Sequence, residues 1–535
     1  MKKILFSLII FIPSCVVHAN ADDYQQQHVF HEAHVPIVKS VAIIGGGASG
    51  TSTAFWLNNV FSSSSENSPN QISITIFDRK DYIGGRSTTV PIKGNSSLGT
   101  MELGASIFVE ANQNLMKATD KFGLKRTSVE VDDDNDDIDP LVKKKREDRR
   151  PGLGVWDGEQ FVFEETGSYY WDSLKALWRY GLSPIKFQRK QQEIVKRFLN
   201  IYNETQQQDE IMEIVKDLGL KELVNMTAES YLKDLGINDR FSYEILQTAT
   251  RGNYCQDLNA LHALAVMVSM EASHGTWAVE DGNYRIFEEF ASRSGADLQL
   301  NTKVVSISNI TEVDTNGHHI NRYRVETLDG KNQVFDEVVL AAPLKYSGIE
   351  FSFPTEEEQR DYHAVHVTLV AGYPDPSYFG RTIDHLPSFI VTTGLPLIHH
   401  FENKTAPFNT FSVHRYLENG ESVIKLFSPK VMEEEFLDQL FINRSWTYRT
   451  AWHAFPKLKP IADNHSFPSF ILKPDKENDD FGIIYTGAFE NFISTMETQT
   501  IAGKIAAKVL YKKWCNTFNE FNKYCGEFGD GWGKI

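Results

Sequence analysis

Hydrophobic and polar positions follow a recognisable order near the beginning of the chain. Val38–Ile44 is rich in apolar and β-branched residues, which is typical of a strand buried in a parallel sheet. The glycine-rich residues 45–50 end this run, and Thr51–Val60 has apolar residues at helical spacing. Ile72–Phe77 then alternates apolar and polar residues up to Asp78. The pattern predicts a strand–turn–helix–strand unit of the βαβ type.

The middle of the chain changes to helical spacing and becomes rich in aromatic residues. Helical patterns cover residues 169–201, 209–235 and 242–272, and a final helix is predicted over residues 496–511. Strand patterns return at residues 298–307, 323–328, 334–342, 366–370 and 481–486. We therefore predict an α/β fold, in which a Rossmann-type domain is discontinuous in sequence. A mixed α+β substrate domain with an α-rich part is inserted into this Rossmann-type domain.

These patterns also predict domain boundaries. The nucleotide-binding domain takes residues 38–110, 273–345 and 475–513. The α-rich substrate domain takes residues 111–272, and its second part takes residues 346–474. Residues 20–37 are predicted to be a flexible segment and residues 514–535 a C-terminal tail. Residues 131–150 run through acids and then bases without core positions, which predicts a solvated, disordered insertion.

Composition and charge narrow the class of protein. Of the 535 residues, 41% are hydrophobic and 23% are charged, which is typical of a globular chain with several domains. The net charge of −17 argues against a nucleic-acid partner. The one basic cluster, residues 143–146, lies among acidic residues. We find no spacing typical of a metal site and no pairing of a nucleophile with a base.

The first residues have the pattern of a secretory signal. Lys2 and Lys3 precede the apolar stretch Ile4–Val17, which is too short to span a membrane comfortably. We predict that residues 1–19 form a signal peptide that is cleaved after Ala19, and that the chain has no transmembrane segment. Triplets for N-glycosylation begin at Asn95, Asn203, Asn225, Asn309, Asn403, Asn443 and Asn464. These features predict an N-glycosylated protein of the lysosome or vacuole or of the extracellular space, and the sequence leaves that choice open.

Cysteines are few in this chain. Cys15 is removed with the predicted signal peptide, so three cysteines remain. Because three is an odd number, at least one thiol has no partner within the chain. Cys515 and Cys525 are close in sequence, and the sequence leaves open whether they form a disulfide. Stability must therefore come from the hydrophobic core.

The first chemical motif is the turn Gly45-x-Gly47-x-x-Gly50, which follows a buried strand and opens a helix. Gly45 permits the tight turn, Gly47 lets a pyrophosphate approach the backbone, and Gly50 allows close packing of helix on strand. The N–H groups and the dipole of the helix start would hold the phosphate charge. Asp78, at the end of the second strand, is suited to bind the ribose hydroxyls of an adenosine.

A second motif, Asp78-Arg79-(x)4-Gly84-Gly85-Arg86, resembles that of the amine-oxidase-like flavoproteins. The resemblance implies that Arg86 offers paired donors to phosphate. It also implies that residues 101–105 lie near a flavin, and that the helix starting after Ser494 points at the flavin ring. The cofactor is therefore predicted to be non-covalently bound FAD. The residues assigned to it are Gly45, Gly47, Ala48, Gly50, Asp78, Arg79, Gly85, Arg86, Glu102, Gly104, Ala105, Val304, Gly487, Thr495, Met496 and Glu497.

Four further segments resemble the prenylcysteine oxidase (prenylcysteine lyase) family, namely residues 178–181, 251–254, 277–283 and 494–497. The resemblance extends from about residue 38 to about residue 510. The insertion at residues 131–150 and the cysteine-containing C-terminal extension depart from it. The resemblance implies an FAD-dependent thioether oxidase. Such an enzyme converts S-farnesyl- or S-geranylgeranyl-cysteine, O2 and water to free cysteine, a prenyl aldehyde and hydrogen peroxide.

Candidates for substrate contact come from the α-rich region. An isoprenoid pocket is predicted from the aromatic residues Trp171, Trp178, Tyr180, Tyr254 and Trp277, although aromatic residues at helical spacing more often belong to a core. Arg251 is predicted either to hold the substrate carboxylate or to pair with an internal acid. His262 and His274 are candidate proton carriers, with a structural role as the alternative.

Two other functions stay open at this level. The chain has the features of an amine or amino-acid oxidase with the same FAD domain, and also of a lipid-binding flavoprotein without turnover. The predicted partners are a prenylated cysteine substrate and O2, with peripheral lipid contact as a further possibility. Prenyl chain preference and oligomeric state are not determined by the sequence.

Overall fold

The structure is a computed structural model that describes residues 38–63, 71–128, 152–166, 168–203, 210–271, 275–313, 317, 319–355, 360–394, 406–462, 467–473, 482–517 and 528–532. Several sequence predictions lie outside the described residues. These concern the signal peptide, residues 20–37, the insertion at residues 131–150, Asn403, Asn464, His274 and Cys525.

Strands and helices occur throughout the described chain, with a run of helices between residues 169 and 269. The strands are β1 (Val38–Ile44), β2 (Gln71–Phe77), β3 (Thr88–Pro91), β4 (Thr100–Gly104), β5 (Arg126–Ser128), β6 (Leu153–Trp156), β7 (Phe161–Glu164), β8 (Trp277–Val279), β9 (Asp297–Gln299), β10 (Val304–Val313), β11 (His319–Thr327), β12 (Asn332–Phe335), β13 (Glu337–Leu340), β14 (Glu350–Phe351), β15 (Tyr362–Pro374), β16 (Phe389–Thr392), β17 (Thr410–Tyr416), β18 (Ser422–Ser428), β19 (Phe441–Pro456), β20 (Ile471–Leu472) and β21 (Ile483–Tyr485). The α-helices are α1 (Ala48–Ser63), α2 (Gln113–Phe122), α3 (Tyr169–Tyr180), α4 (Ser183–Phe198), α5 (Ile211–Asp217), α6 (Lys221–Asn225), α7 (Ala228–Asp234), α8 (Asp239–Phe241), α9 (Gln247–Tyr254), α10 (Ala263–Ser269), α11 (Tyr284–Arg293), α12 (Leu344–Ser347), α13 (Glu434–Leu440) and α14 (Met496–Thr517). A π-helical turn, Ser242–Leu246, precedes α9.

A six-stranded sheet carries the nucleotide-binding part, in the order β20-β21-β13-β1-β2-β9. Its strands pair in parallel, except for the antiparallel edge pair β20–β21. Ala54, Phe55, Leu57 and Val60 of helix α1 are all buried, as the helical spacing predicts. The strands come from distant parts of the chain, which confirms the predicted α/β class and its discontinuous Rossmann-type domain.

Two further sheets complete the architecture. A four-stranded sheet has the order β12-β11-β10-β14, and a seven-stranded sheet has the order β19-β15-β18-β17-β16-β6-β7. The seven-stranded sheet is antiparallel apart from the β6–β16 pair. Together with α3–α10 it forms the mixed α+β part that the sequence predicts as an insertion. The domain boundaries drawn from the sequence stay predictions.

Two predicted strands are each divided in the structure. Residues 298–307 form the ends of β9 and β10, separated by a turn in which Asn301 has a φ of +53° and donates from its backbone N to Lys80 O at 2.8 Å. Residues 334–342 belong to β12 and β13, which lie in different sheets. Asp336 separates the two strands, and its carboxylate accepts a hydrogen bond from the backbone N of Ser40 at 2.8 Å. The apolar pattern of each segment is continuous, so the sequence did not reveal that either predicted strand is divided.

Within the residues that the structure describes, no helix is long and apolar enough to cross a membrane. The same residues contain no group of three or more His, Cys, Asp or Glu side chains placed to hold a metal ion. Cys255 is a free, buried thiol. Cys515, near the end of α14, is disulfide-bonded.

Candidate cofactor and substrate site

The glycine-rich turn after β1 depends on close backbone contacts. Gly45 has a φ of +118°, and a Cβ there would lie 2.6 Å from the carbonyl oxygen of Ala341, just beyond β13. A Cβ on Gly50 would overlap the carbonyl oxygen of Gly45. Gly50 therefore lets α1 pack directly on the turn, which is the role expected of the third glycine in this motif.

The two glycine segments recognised in the sequence lie against each other. A Cβ on Gly47 would meet no atom closer than 3.7 Å, the Cα of Gly85. The backbone N of Gly84 donates to Gly46 O at 2.9 Å. Gly47 and Gly85 line a large cavity, together with Ala48, where α1 begins. The positive end of the helix dipole therefore lies at the cavity wall, where it favours an anion.

Asp78 and Arg79 lie at the end of β2, on the wall of the same cavity. The carboxylate of Asp78 accepts from the backbone N of Gly46 at 2.7 Å and from that of Lys80 at 2.8 Å. These bonds hold the carboxylate beside the glycine turn. Arg79 is exposed and donates to Tyr346 O at 3.5 Å. Ribose binding by Asp78 stays a prediction that this position allows.

Arg86 lines the cavity and pairs with an internal acid. Its two terminal nitrogens form an ion pair with Glu490, with Nη1 2.9 Å from Oε2, and Nη1 also donates to Ala454 O at 2.6 Å. The Glu490 side chain is only 2% exposed, so the guanidinium compensates a buried charge. The sequence spacing did not reveal Glu490 as a partner, and phosphate binding by Arg86 stays a prediction.

Two family-like segments meet around a buried carboxyl. Glu102, on β4, accepts from the backbone N of Asn283 at 2.6 Å, and the Asn283 amide donates to Ala105 O at 2.8 Å. Gly104 leaves room for Trp452, because a Cβ would lie 2.6 Å from the indole ring. Glu102, Gly104 and Ala105 line the cavity, and their place beside a flavin stays a prediction.

The helix start after Ser494 also lies at the cavity. Thr495 caps α14, because its hydroxyl accepts from the backbone N of Thr498 at 3.0 Å, and Met496 is the first helical residue. Thr495, Met496 and Glu497 line the cavity, whereas Gly487 does not. A Cβ on Gly487 would lie 2.5 Å from the ring of Tyr485, so this glycine serves packing rather than cofactor contact.

Glu497 has a structural role that the sequence did not indicate. Its carboxylate accepts from the backbone N atoms of Asn114 (2.8 Å) and Leu115 (3.0 Å), at the start of α2, and from the hydroxyl of Tyr202 (2.7 Å). Burial raises the pKa of this carboxyl to about 7, against the effect of these donors. Glu497 therefore ties the start of α14 to α2, and its contact with a cofactor stays a prediction.

All these elements surround one cavity of about 1740 Å³. One part is lined by the glycine turn, Asp78 and Val304, the first residue of β10. The other part, the apolar chamber, lies between helices α4, α9 and α10 and the seven-stranded sheet. Its wall is mainly hydrophobic and includes Phe198, Tyr254, Leu264, Met267, Phe389, Tyr448 and Phe455. The cavity therefore continues from a dinucleotide-binding turn into space suited to an apolar substrate.

Of the two aromatic residues favoured by the family-like segments, only Tyr254 lines the apolar chamber. It ends α9, and its ring lies 5.5 Å from that of Phe455 in an edge-on arrangement. Burial raises its pKa well above the usual tyrosine range, so the hydroxyl stays protonated. Trp277 lies outside the cavity wall and contacts the guanidinium of Arg126, 5.9 Å from the ring centre.

The other three aromatic pocket candidates were wrongly assigned. Trp171 and Trp178 lie on α3 and are 58% and 86% exposed to solvent. Tyr180 is buried, and its hydroxyl donates to Glu244 at 3.0 Å. Helical spacing identified the helix but not which of its faces points to the core, the cavity or the solvent.

Arg251 pairs with an internal acid, the second of its two predicted roles. It donates to Asp257 at 3.0 Å and to Asn409 at 2.8 Å, and it does not line the cavity. His262 is fully buried away from the cavity, and burial lowers its pKa to about 3. It therefore stays neutral, which contradicts a role as proton carrier.

Lys425 is a cavity residue that the sequence reasoning missed. It lies on β18, and its ammonium donates to the hydroxyl of Ser106 at 2.6 Å and to Glu102 O at 3.2 Å. Burial lowers the pKa of Lys425 to about 8 and raises that of Glu102 to about 7, while the two charges oppose these shifts. A single lysine inside the apolar run Val423–Phe427 was the available signal. Perturbed groups at a cavity wall are typical of a reaction site.

Comparison with known proteins first defines the class. A profile described as an NAD(P)-binding Rossmann-like domain matches residues 43–122. Among solved structures, wild-type putrescine oxidase bound to putrescine aligns with 89% of this chain and 100% of its own, at 14% identity and a TM-score of 0.54. A triple mutant of putrescine oxidase reaches a TM-score of 0.56. The fold and site thus define a Rossmann-like dinucleotide-binding protein with the architecture of putrescine oxidase.

The particular family follows from sequence. The profile described as prenylcysteine lyase matches residues 163–523, so the chain belongs to the prenylcysteine lyase family. It is 29% identical over 492 residues to farnesylcysteine lyase of Arabidopsis thaliana, covering 89% of this chain and 88% of that protein. Prenylcysteine oxidase 1 of Homo sapiens is 26% identical over 500 residues, with 89% of each chain covered.

Proposed function

We propose that this protein is an FAD-dependent thioether oxidase that cleaves S-prenyl-cysteine. The reaction consumes O2 and water and yields free cysteine, the prenyl aldehyde and hydrogen peroxide. The observation that carries the proposal is one continuous cavity, which joins a dinucleotide-binding turn to an apolar chamber in a chain of the prenylcysteine lyase family. An isoprenoid needs such an apolar wall, and the reaction needs a redox cofactor beside it.

Non-covalently bound FAD fits the residues that line the first part of the cavity. Gly47 has clearance for a close backbone approach, the start of α1 favours the pyrophosphate, and Asp78 is in position for the ribose. The carboxyl Oε2 of Glu102 is buried without a hydrogen-bond partner among the described residues, beside the segment expected near the flavin. When bound, FAD would supply hydride acceptance from the substrate and electron transfer to O2.

The chain's own residues then have positioning and electrostatic roles. The chamber wall around Tyr254, Phe455 and Met267 excludes water and binds the isoprenoid by its apolar surface. Lys425 holds a proton on Nζ below a pH of about 8 and presents a positive charge at the wall where residues 101–106 meet the chamber. A buried cation there would stabilise negative charge that develops during the reaction.

The direct test is hydrogen peroxide release by the purified, flavin-containing protein given farnesylcysteine. We expect peroxide and free cysteine in equal amounts with farnesylcysteine, and neither product with putrescine or a free amino acid. Peroxide only with the amine or amino acid would contradict the proposal and indicate an amine-type oxidase. No peroxide with any of the three, from protein with bound FAD, would indicate a lipid-binding flavoprotein without turnover.

We also propose that the protein enters the secretory pathway and works in the lysosome, the vacuole or the extracellular space. Among its described glycosylation triplets, Asn95, Asn203 and Asn443 are exposed, whereas Asn225 and Asn309 are partly buried. We expect glycans at the three exposed asparagines after expression in a eukaryotic secretory host, because a glycan at an exposed side chain is compatible with the folded protein. Mass spectrometry of peptides after enzymatic deglycosylation measures this. Unmodified asparagine at all three sites would contradict export.

A further inference from the structure

Helix α3 turns an apolar face to solvent. Tyr170, Trp171, Leu174, Leu177 and Trp178 fall within about 120° of the helix circumference at 100° per residue. Their exposed fractions are 71%, 58%, 45%, 46% and 86%. We call these five side chains the outer face of α3. A contiguous exposed apolar patch of this kind marks an interaction surface rather than ordinary surface composition.

The opposite side of α3 is already packed, so the outer face is not a displaced core face. Tyr180 is 1% exposed, and Ala176 packs against the main hydrophobic core. Asp172 holds the helix start, because its carboxylate accepts from the backbone N of Thr166 at 3.0 Å. The patch continues past the end of α3 with Leu182, the residue before α4, which is 70% exposed.

The charges beside the outer face are positive, although the chain as a whole is negative. Apart from Arg179, which pairs with Glu244, residues 169–189 contain three Lys and Arg and one Asp, in a protein with a net charge of −17. Lys175 on α3 and Lys186 and Arg189 on α4 are exposed. The combination of large aromatic residues with polar tips, leucines and flanking cations is typical of a helix that lies in the interface of an anionic bilayer.

We propose that α3 and the first turns of α4 form a docking surface for an anionic lipid membrane. The outer face enters the boundary between headgroups and acyl chains, and the flanking cations contact the lipid phosphates. No helix needs to cross the bilayer for this mode of binding. The docking itself is independent of the reaction proposed above.

The same surface lies next to the cavity. Glu165 lines the cavity and is followed by Thr166, which is bonded to Asp172 of α3. Helix α4 carries the cation Lys186 near its start and the cavity residues Ile194 and Phe198 toward its end. A docked molecule would therefore hold one side of the cavity close to the lipid phase. This consequence, unlike the docking, rests on the proposed function, because it concerns an isoprenoid substrate that partitions into lipid.

The test is co-sedimentation of the full-length, flavin-containing protein with vesicles. We use vesicles of phosphatidylcholine alone and of phosphatidylcholine with phosphatidylserine. We expect the unaltered protein to sediment with the anionic vesicles and the double variant Trp171→Glu/Trp178→Glu to stay in the supernatant. The matched control is Leu328→Glu/Ile442→Glu, which places the same charges at two residues that are each 71% exposed and lie outside this face. We expect the control to sediment like the unaltered protein.

The charged part is tested separately. We expect Lys186→Gln/Arg189→Gln to weaken binding to phosphatidylserine-containing vesicles about 30-fold, since each cation near such a surface contributes about a factor of five. Failure of the unaltered protein to bind anionic vesicles would overturn the proposal, as would equal binding by the Trp171→Glu/Trp178→Glu variant. Self-association that this variant abolishes, without vesicle binding, would overturn it in favour of a second copy of the chain.

The readouts separate this proposal from the proposed reaction. Vesicle binding requires no turnover, and peroxide release from dispersed farnesylcysteine requires no vesicle. Since Trp171 and Trp178 do not line the cavity, we expect the double variant to keep the activity of the unaltered protein on the dispersed substrate. Lost flavin or a changed circular dichroism spectrum would show a folding defect, and the single variant Trp178→Glu then repeats the test.

Discussion

Lys425→Met is expected to lower the turnover number with farnesylcysteine by about 10²- to 10³-fold, the effect of removing one preorganised charged donor from a reaction site. The ammonium lies on the cavity wall, bonded to Ser106 and to the backbone of Glu102. The fold is expected to survive, because Glu102, whose pKa burial already raises to about 7, takes up a proton when its cationic neighbour is lost. Steady-state peroxide assays and thermal unfolding measure the two effects.

The pH profile distinguishes a catalytic charge from a packing role. Because the pKa of Lys425 is about 8, the ammonium loses its proton as the pH rises through that value, and the turnover number should fall on the alkaline side. Lys425→Arg keeps the charge at high pH, so its alkaline fall should be absent. The exposed Lys430→Met is the control and should behave like the unaltered protein. Identical pH profiles of Lys425→Arg and the unaltered protein would contradict this role.

Gly50→Ala is expected to lower the free energy of unfolding by about 3 kcal/mol or more, at the upper end of overpacking effects. The added methyl would overlap the carbonyl oxygen of Gly45, and backbone on both sides cannot move aside as a flexible side chain would. Helix α1 would have to shift off β1. Denaturant unfolding measures the loss. A free energy of unfolding equal to that of the unaltered protein would contradict the close packing of α1 on the glycine turn at Gly50.

Gly47→Ala is the matched variant, three residues away in the same turn. Its methyl would meet no protein atom closer than 3.7 Å, so the stability of the flavin-free protein should not change. It would occupy the space where the pyrophosphate approaches the backbone. We expect FAD to bind about 10- to 100-fold more weakly, the loss of one hydrogen bond to a charged group. Unchanged affinity in a fluorescence titration would place the cofactor elsewhere.

The local order of residues determined the fold class. The apolar run Val38–Ile44, the glycines that follow it and the alternation up to Asp78 form one βαβ unit in the structure, as predicted. These features were predictable because strand burial, turn conformation and helix periodicity depend on neighbours along the chain. The strand breaks at Asn301 and Asp336 were not, since each depends on hydrogen bonds to distant segments.

Only the tertiary structure decided which chemical groups meet at the site. The fold places the buried Glu490 beside Arg86, for which the sequence had indicated only a phosphate partner. Helical spacing could not separate Tyr254, which lines the chamber, from Trp178, which faces solvent. Lys425 is a candidate reaction-site residue only in the folded protein, because strand β18 places its ammonium beside Ser106. The sequence by itself determined the elements and the cofactor motif, because these rest on local periodicity. The partners of each charge depend on which strands and helices pack together, and one-dimensional spacing does not contain that information.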